Sequence, residues 1–210
     1  ILKERNEKNT PIKTREILSL SAANGVVPYS EKTGGGNKAK DDVSLYKIAH
    51  PKDIVMNSMN IIAGSVGLSQ YHGCVSPVYY MFYSDDKGSD INYFSNIFQS
   101  KEFQRSLIGL GNGILIKHSE KSDKLNTIRL RIPSEKMKNT LLPVPPSIEQ
   151  QKIAAVLDDK TTHIDNIIAK TKESIEAFKT YKQALITETV TKGLNPDVKM
   201  KDSGIEWVGE

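Results

Sequence analysis

A chain of 210 residues, 38% hydrophobic and 26% charged, has moderate hydrophobicity, and none of its apolar runs approaches the roughly 18–20 residues of a membrane span. Its one cysteine, Cys74, excludes an internal disulfide and reads as a small buried hydrophobe in a reducing cytoplasm. Net charge is +4 overall, but residues 1–146 hold 20 Lys+Arg against 14 Asp+Glu, a net +6, and residues 147–210 hold 9 against 11. The basic part is thus the part expected to be globular, which favours a polyanion such as nucleic acid as partner. No secretory leader is visible, and a first residue of Ile1 rather than Met is read as a trimmed or incomplete start.

In chain order, residues 1–16 are polar and charged and read as an edge segment. Ile17–Ser21 and Val26–Tyr29 predict short strands around a turn at Asn24-Gly25. Glu31–Asp42 predicts a loop in which Gly34-Gly35-Gly36 is flanked by Lys32, Lys38 and Lys40. Asp53–Met59 predicts a strand, and Gly64–Ser69 and Val75–Ser84 two more, joined at Tyr71-His72-Gly73. Asp90–Gln99 and Lys101–Leu110 predict helices with an apolar face of Phe94, Ile97, Phe98 and Phe103. Gly109, Gly111 and Gly113 predict a flexible loop. Leu125–Ile132 and Asn139–Pro143 then close the unit as strands, or as a short helix plus strand. With no βαβ alternation and no repeat, the fold class expected is α+β: a mixed α/β domain over residues 1–146 followed by one long coiled-coil helix.

That helix is the strongest signal. Pro143, Pro145 and Pro146 keep the chain extended, Ser147 offers a cap with Gln150 as capping-box partner, and residues 148–191 contain neither Pro nor Gly. Lys192-Gly193 and Asn195-Pro196 stop it. About forty-four residues at about 1.5 Å each make a rod of roughly 65 Å, against a mean globular helix of roughly 11–12 residues. A heptad seam runs along Ala154, Thr161, Ile168, Ile175, Lys182 and Thr189 and along Leu157, Ile164, Thr171, Phe178 and Leu185; seven of these eleven positions are apolar. Residues 147–192 are therefore read as a spacer or dimerisation helix, paired through Leu157, Ile164, Ile168, Ile175, Phe178 and Leu185. Packing on its own domain is the bland alternative. Residues 193–210 form a separate tail holding the only tryptophan, Trp207, which reads as a docking residue.

No catalytic constellation holds together. His50, His72, His118 and His163 lack metal-ligand spacing. Asp85-Asp86-Lys87 has no upstream Pro-Asp to complete a nuclease signature and reads as a solvated turn. The cluster Gly109-Leu110-Gly111-Asn112-Gly113 follows a helix, whereas a nucleotide fingerprint follows a strand and opens a helix. Pro145-Pro146-Ser147 lacks the aromatic ring that an adenine methyltransferase stacks on its flipped base. The reading is a binding protein, not an enzyme, with no metal and no cofactor of its own. The candidates for DNA contact are Lys32, Lys38 and Lys40 around the glycine loop and the amides Asn57, Asn60 and Gln70, which suit adenine edges. His72 joins them, as does a second basic stretch of Lys117, His118, Lys121 and Lys124 followed by Arg129 and Arg131. Solvated lysines and turn-satisfying amides are the ordinary alternative for each.

Three stretches carry a resemblance. They are Leu142-Pro143-Val144-Pro145-Pro146-Ser147-Ile148-Glu149-Gln150-Gln151-Lys152-Ile153; the helix blocks Leu157-Asp158, Ile164-Asp165 and Tyr181-Lys182-Gln183-Ala184-Leu185-Ile186; and Gly64-Ser65-Val66-Gly67 through Val75-Ser76-Pro77-Val78-Tyr79. With them the chain resembles the specificity subunit of type I restriction–modification systems, over nearly its whole length. The resemblance implies a target recognition domain that reads one half of a split site in double-stranded DNA, and a conserved helix that packs antiparallel on a second one. It also implies a modification (methyltransferase) subunit that holds S-adenosylmethionine, and restriction subunits that cleave. Where the family has two domains and two helices, this sequence has one of each. Its tail, Lys201-Asp202-Ser203-Gly204-Ile205-Glu206-Trp207-Val208-Gly209-Glu210, looks like the segment that opens each half. Two readings stay open: the cut edge of a second half, or a natural half-subunit that forms a homodimer. A free-standing homodimeric DNA-binding regulator is the alternative function.

Overall fold

The structure, a computed structural model, describes residues 1–32, 38–119, 122–195, 197, 199–206 and 208–209; for residues 114–119 and 122–129 it describes the backbone alone. The strands are β1 (Lys3–Arg5), β2 (Leu18–Ser21), β3 (Gly25–Pro28), β4 (Lys47–Ala49), β5 (Ile54–Asn57), β6 (Val66–Leu68), β7 (Gly73–Val75), β8 (Tyr79–Tyr83), β9 (Asn112–Ser119) and β10 (Ser122–Arg131). The α-helices are α1 (Ile91–Gln99), α2 (Lys101–Ser106), α3 (Ser134–Lys138) and α4 (Ser147–Lys192). This is the expected mixed α/β arrangement followed by one long helix. The chain divides into two units, Ile1–Ala155 and Val156–Glu210.

The first unit is built on a four-stranded sheet ordered β1–β8–β5–β6, with antiparallel pairs throughout. The polar opening segment does supply an edge strand, β1. The central strands are apolar on both faces, and the two-residue strand period divides their side chains. Ile54, Met56, Tyr80 and Phe82 join Phe94, Phe98, Phe103 and Leu107 in one core cluster. Val55 and Met81 join Leu18, Leu20 and Val26 of the β2–β3 hairpin in a second. Each such side chain contributes about 1.5–3 kcal/mol by leaving water. Cys74 is fully buried in a third, smaller cluster with Val43, Tyr46 and Ile48. The hairpin turns where expected: Gly25 adopts φ 62°, and a side chain on Gly67 would meet the Gly25 backbone at 3.0 Å, so hairpin and sheet approach at glycine contact.

Three local expectations need correction, and one strand is new. Val75–Ser84 is two strands, because Ser76–Tyr79 turns (Tyr79 N–H donates to the Ser76 carbonyl, 3.0 Å) around Pro77, which has no amide hydrogen to give a ladder. The glycine-rich run after Leu110 is not a loop but the start of β9, paired with β10; Gly111 leaves the room in which Leu130 packs. Asn139–Pro143 is not a strand; the short helix before it is α3. β4, a three-residue strand paired with β7, was not expected at all.

Helix α4 starts at Ser147 as the proline run dictates. The capping box is absent: the Pro146 carbonyl accepts from the Glu149 and Gln150 N–H groups, and the Gln150 side chain is turned elsewhere. Its Nε2 donates to the Pro145 carbonyl (2.8 Å), and its Oε1 accepts from Asp90 N–H (2.9 Å) at the start of α1. Gln150 is 1% exposed, and Ala154 joins the first core cluster.

In the second unit, the helix ends at Gly193, whose φ of 78° lets its N–H close on the Thr189 carbonyl. The tail folds on itself, with the Ser203 Oγ and N–H both donating to the Gly209 carbonyl. Trp207 lies outside the described residues.

Candidate nucleic-acid interface

Ser19 and Ser21 alternate with the buried Leu18 and Leu20 along β2, and this places them on the half-exposed side of the hairpin. The C-terminal end of β5 supplies Asn57, the turn after it Met59 and Asn60, the start of β6 Ser65, and the β7–β8 turn Ser76 and Tyr79. Together with Tyr29, Tyr46, Lys32 and Lys38 these residues surround one concavity of about 590 Å³. Lys32, Lys38, Asn57 and Asn60, far apart in sequence, are thus brought to one place.

The polar groups around this concavity are only partly spent on the protein itself. The Tyr29 hydroxyl accepts from Ala39 N–H and the Tyr46 hydroxyl from Lys40 N–H, both at 3.1 Å, which ties down the return of the basic loop. Asn57 Oδ1 accepts from Met59 N–H (3.0 Å), and its amide nitrogen has no hydrogen-bond partner among the described residues. The side chain of Asn60 and the Tyr79 hydroxyl have no hydrogen-bond partner among the described residues. Burial pushes the Tyr79 phenol above its ordinary range, and nearby Tyr46 adds to this, so Tyr79 keeps its proton. Lys32 Nζ stands 5.1 Å above the Tyr29 ring, a cation–π contact.

The other expected residues lie elsewhere. Lys40 follows the concavity's rim, near Asp42, whose carboxyl is held below its ordinary range by hydrogen bonds from Ser44 and then by Arg15 and Lys40. Gln70 and His72 are exposed at the opposite end of the β5–β6 pair, where Asp53 and Ser69 pair, and the His72 ring meets His50 edge-on at 4.9 Å. Lys117 and His118 are on β9, and Lys124 and Arg129 on β10, where the backbone alone is described; Lys121 lies outside the described residues. Arg131 is exposed at the end of β10. Sequence reasoning missed Tyr29, Tyr46, Tyr79, Ser19, Ser65 and Ser76. The one available signal was the Leu-Ser-Leu-Ser alternation of residues 18–21, which marks a strand with one polar face.

Among the described residues no group of three or more His, Cys, Asp or Glu side chains is placed to hold a metal ion. Among them, too, no helix is long and apolar enough to cross a membrane. Along α4 the expected pairing residues Leu157, Ile164, Ile168, Ile175, Phe178 and Leu185 are all open to solvent, from 40% at Leu157 to 71% at Phe178.

No protein-family model matches the chain, and no curated protein matches it. Solved structures do. The fold is found in type I restriction–modification assemblies. A chain from the structure described as the structural basis underlying complex assembly and conformational transition of the type I R-M system aligns with a TM-score of 0.53 at 17% identity, over 70% of this chain and 33% of that one. The HsdS subunit from Thermoanaerobacter tengcongensis aligns at 18% identity over 70% of this chain and 32% of its own, with a TM-score of 0.44. The chain therefore spans about a third of the length of the proteins it matches.

Proposed function

We propose that this chain is the non-catalytic DNA sequence-recognition part of a type I restriction–modification complex. Residues 1–146 read one half of a split site. Residues 147–192 pair with a second such helix, residues 193–210 resemble the segment that opens a second half, and the chain scaffolds the modification and restriction subunits. The observation that carries this reading is the joined architecture: an α/β unit of the type I fold is followed by a 46-residue helix whose apolar seam residues from Leu157 to Leu185 are open to solvent. At about 1.5 Å per residue the helix is about 69 Å long, close to two turns of duplex at about 34–36 Å each, a spacing that suits a split site read on one face. The methyl donor, S-adenosylmethionine, belongs to the modification subunit on this reading.

Light scattering on the purified chain, with and without Ile168→Glu and Ile175→Glu, tests the pairing. A dimer that the double substitution turns into monomer supports the proposal. A clean monomer at high concentration removes the homodimer and leaves only pairing with a second half of the same subunit.

A further inference from the structure

DNA grooves are themselves concave. Proteins read stacked base edges by inserting something convex, a helix or a two-stranded ribbon. The place where Asn57, Asn60 and Lys38 meet is the reverse, a cavity of about 590 Å³, within the range of sites that engulf a small ligand. Its walls offer what a single base requires. Tyr29, Tyr79 and Met59 are among its lining residues, aromatic and apolar side chains of the kind that pack on a ring. The Asn57 amide nitrogen, the Asn60 amide and the Tyr79 hydroxyl supply donors and acceptors that the described residues leave unused. Lys32 and Lys38 stand beside it, where a base leaving the stack would bring its phosphates.

We propose that this concavity, between the β2–β3 hairpin and the Asn57–Ser65 end of the sheet, takes an unpaired nucleobase out of DNA. This rests on the reading of the chain as a DNA-recognition subunit and adds a mode of recognition to it: one base is read by enclosure, through its hydrogen-bonding edge and its ring face. Enclosure requires the base to leave its partner, and the cost is smallest where the base has no partner to leave. A pocket of this kind therefore binds a duplex with a single extra base more tightly than the same duplex fully paired.

The test is binding of the whole chain to a labelled duplex of roughly 20 base pairs, fully paired or carrying one bulged A, C, G or T, measured by anisotropy across a salt series. The expected result is at least about tenfold tighter binding for one or more of the bulged duplexes. Asn60→Ala and Tyr79→Phe should lose that preference and keep the salt-dependent binding of the paired duplex. Both remove groups without a partner among the described residues, so both variants should fold, which an unchanged urea midpoint checks. Equal, salt-sensitive binding of paired and bulged DNA overturns the base pocket and leaves DNA recognition standing. A bulge preference that survives both substitutions also overturns it, since bending of bulged DNA then accounts for the preference. No salt-sensitive binding to any duplex overturns the DNA-reading function and the pocket with it.

Discussion

The Oε1 of Gln150, on the first turn of the long helix, accepts a hydrogen bond from the backbone N–H of Asp90 at 2.9 Å. Asp90 in turn caps α1, its carboxylate accepting from Asn92 N–H and Tyr93 N–H. One buried amide therefore fixes the start of α4 to the start of α1. Gln150→Leu leaves the Asp90 N–H and the Pro145 carbonyl, both half-buried, without their partner. It should destabilise the first unit by about 1–3 kcal/mol, read as a lowered midpoint in urea denaturation followed by circular dichroism.

A second test concerns the edge strand. Arg5 Nε donates to Asp53 Oδ2 at 2.7 Å; Asp53 is fully buried, and Arg5 lies 4.2 Å above the Tyr83 ring. Removing the cation leaves a buried carboxylate without its counter-charge, held by the His50 N–H at 2.8 Å through Oδ2 alone. Arg5→Leu should therefore cost about 3–5 kcal/mol. Lys3, on the same strand, pairs with Asp85 in full solvent exposure, and Lys3→Ala should leave the unfolding midpoint where it was.

Acid stability gives a third prediction. Glu7 is held below its ordinary value near 4.5 by hydrogen bonds first from Lys13 and then from His50. A folded-state pKa below the unfolded one means that the stabilisation is complete above about 4.5 and is lost as pH falls through the lower folded value. Denaturation midpoints of Glu7→Gln should show a shallower fall than the wild type in that acid window and the same slope above it.

What the sequence made legible follows from how local each signal was. The long helix is written in its own residues: prolines before Ser147, glycine after Lys192, and nothing in between to break it. The Asn24-Gly25 turn and the phenylalanine face of α1 and α2 are equally local. β9 was hidden because Gly111 and Gly113 argue for a loop, and only pairing with β10 makes a strand of that run. β4 is three residues long and owes its state to β7. The concavity was half visible: the lysines and asparagines stood out by their chemistry, but Tyr29 and Tyr79 read only as strand formers. Nothing in a linear chain brings residues 19, 29, 57 and 79 together. Gln70 passed the same chemical filter as Asn57 yet sits at the other end of the same strand pair, because antiparallel pairing sends the two ends of β5 and β6 apart.

If the rim lysines meet phosphates, salt dependence should report it. Lys38→Ala should lower the slope of log affinity against log salt for a paired duplex by about 0.9, and Lys32→Ala by a similar amount. A substitution that weakens binding without changing the slope would place that lysine away from the backbone.

The central claim is that this chain tells a methyltransferase where to act. Its most direct test is methylome sequencing of cells that express a type I modification subunit from the same system with this chain, with the chain omitted, and with the seam variant Ile168→Glu/Ile175→Glu. The account predicts adenine methylation at a bipartite sequence, absent without the chain and lost or greatly reduced in the variant. The same methylation pattern with and without the chain would contradict it.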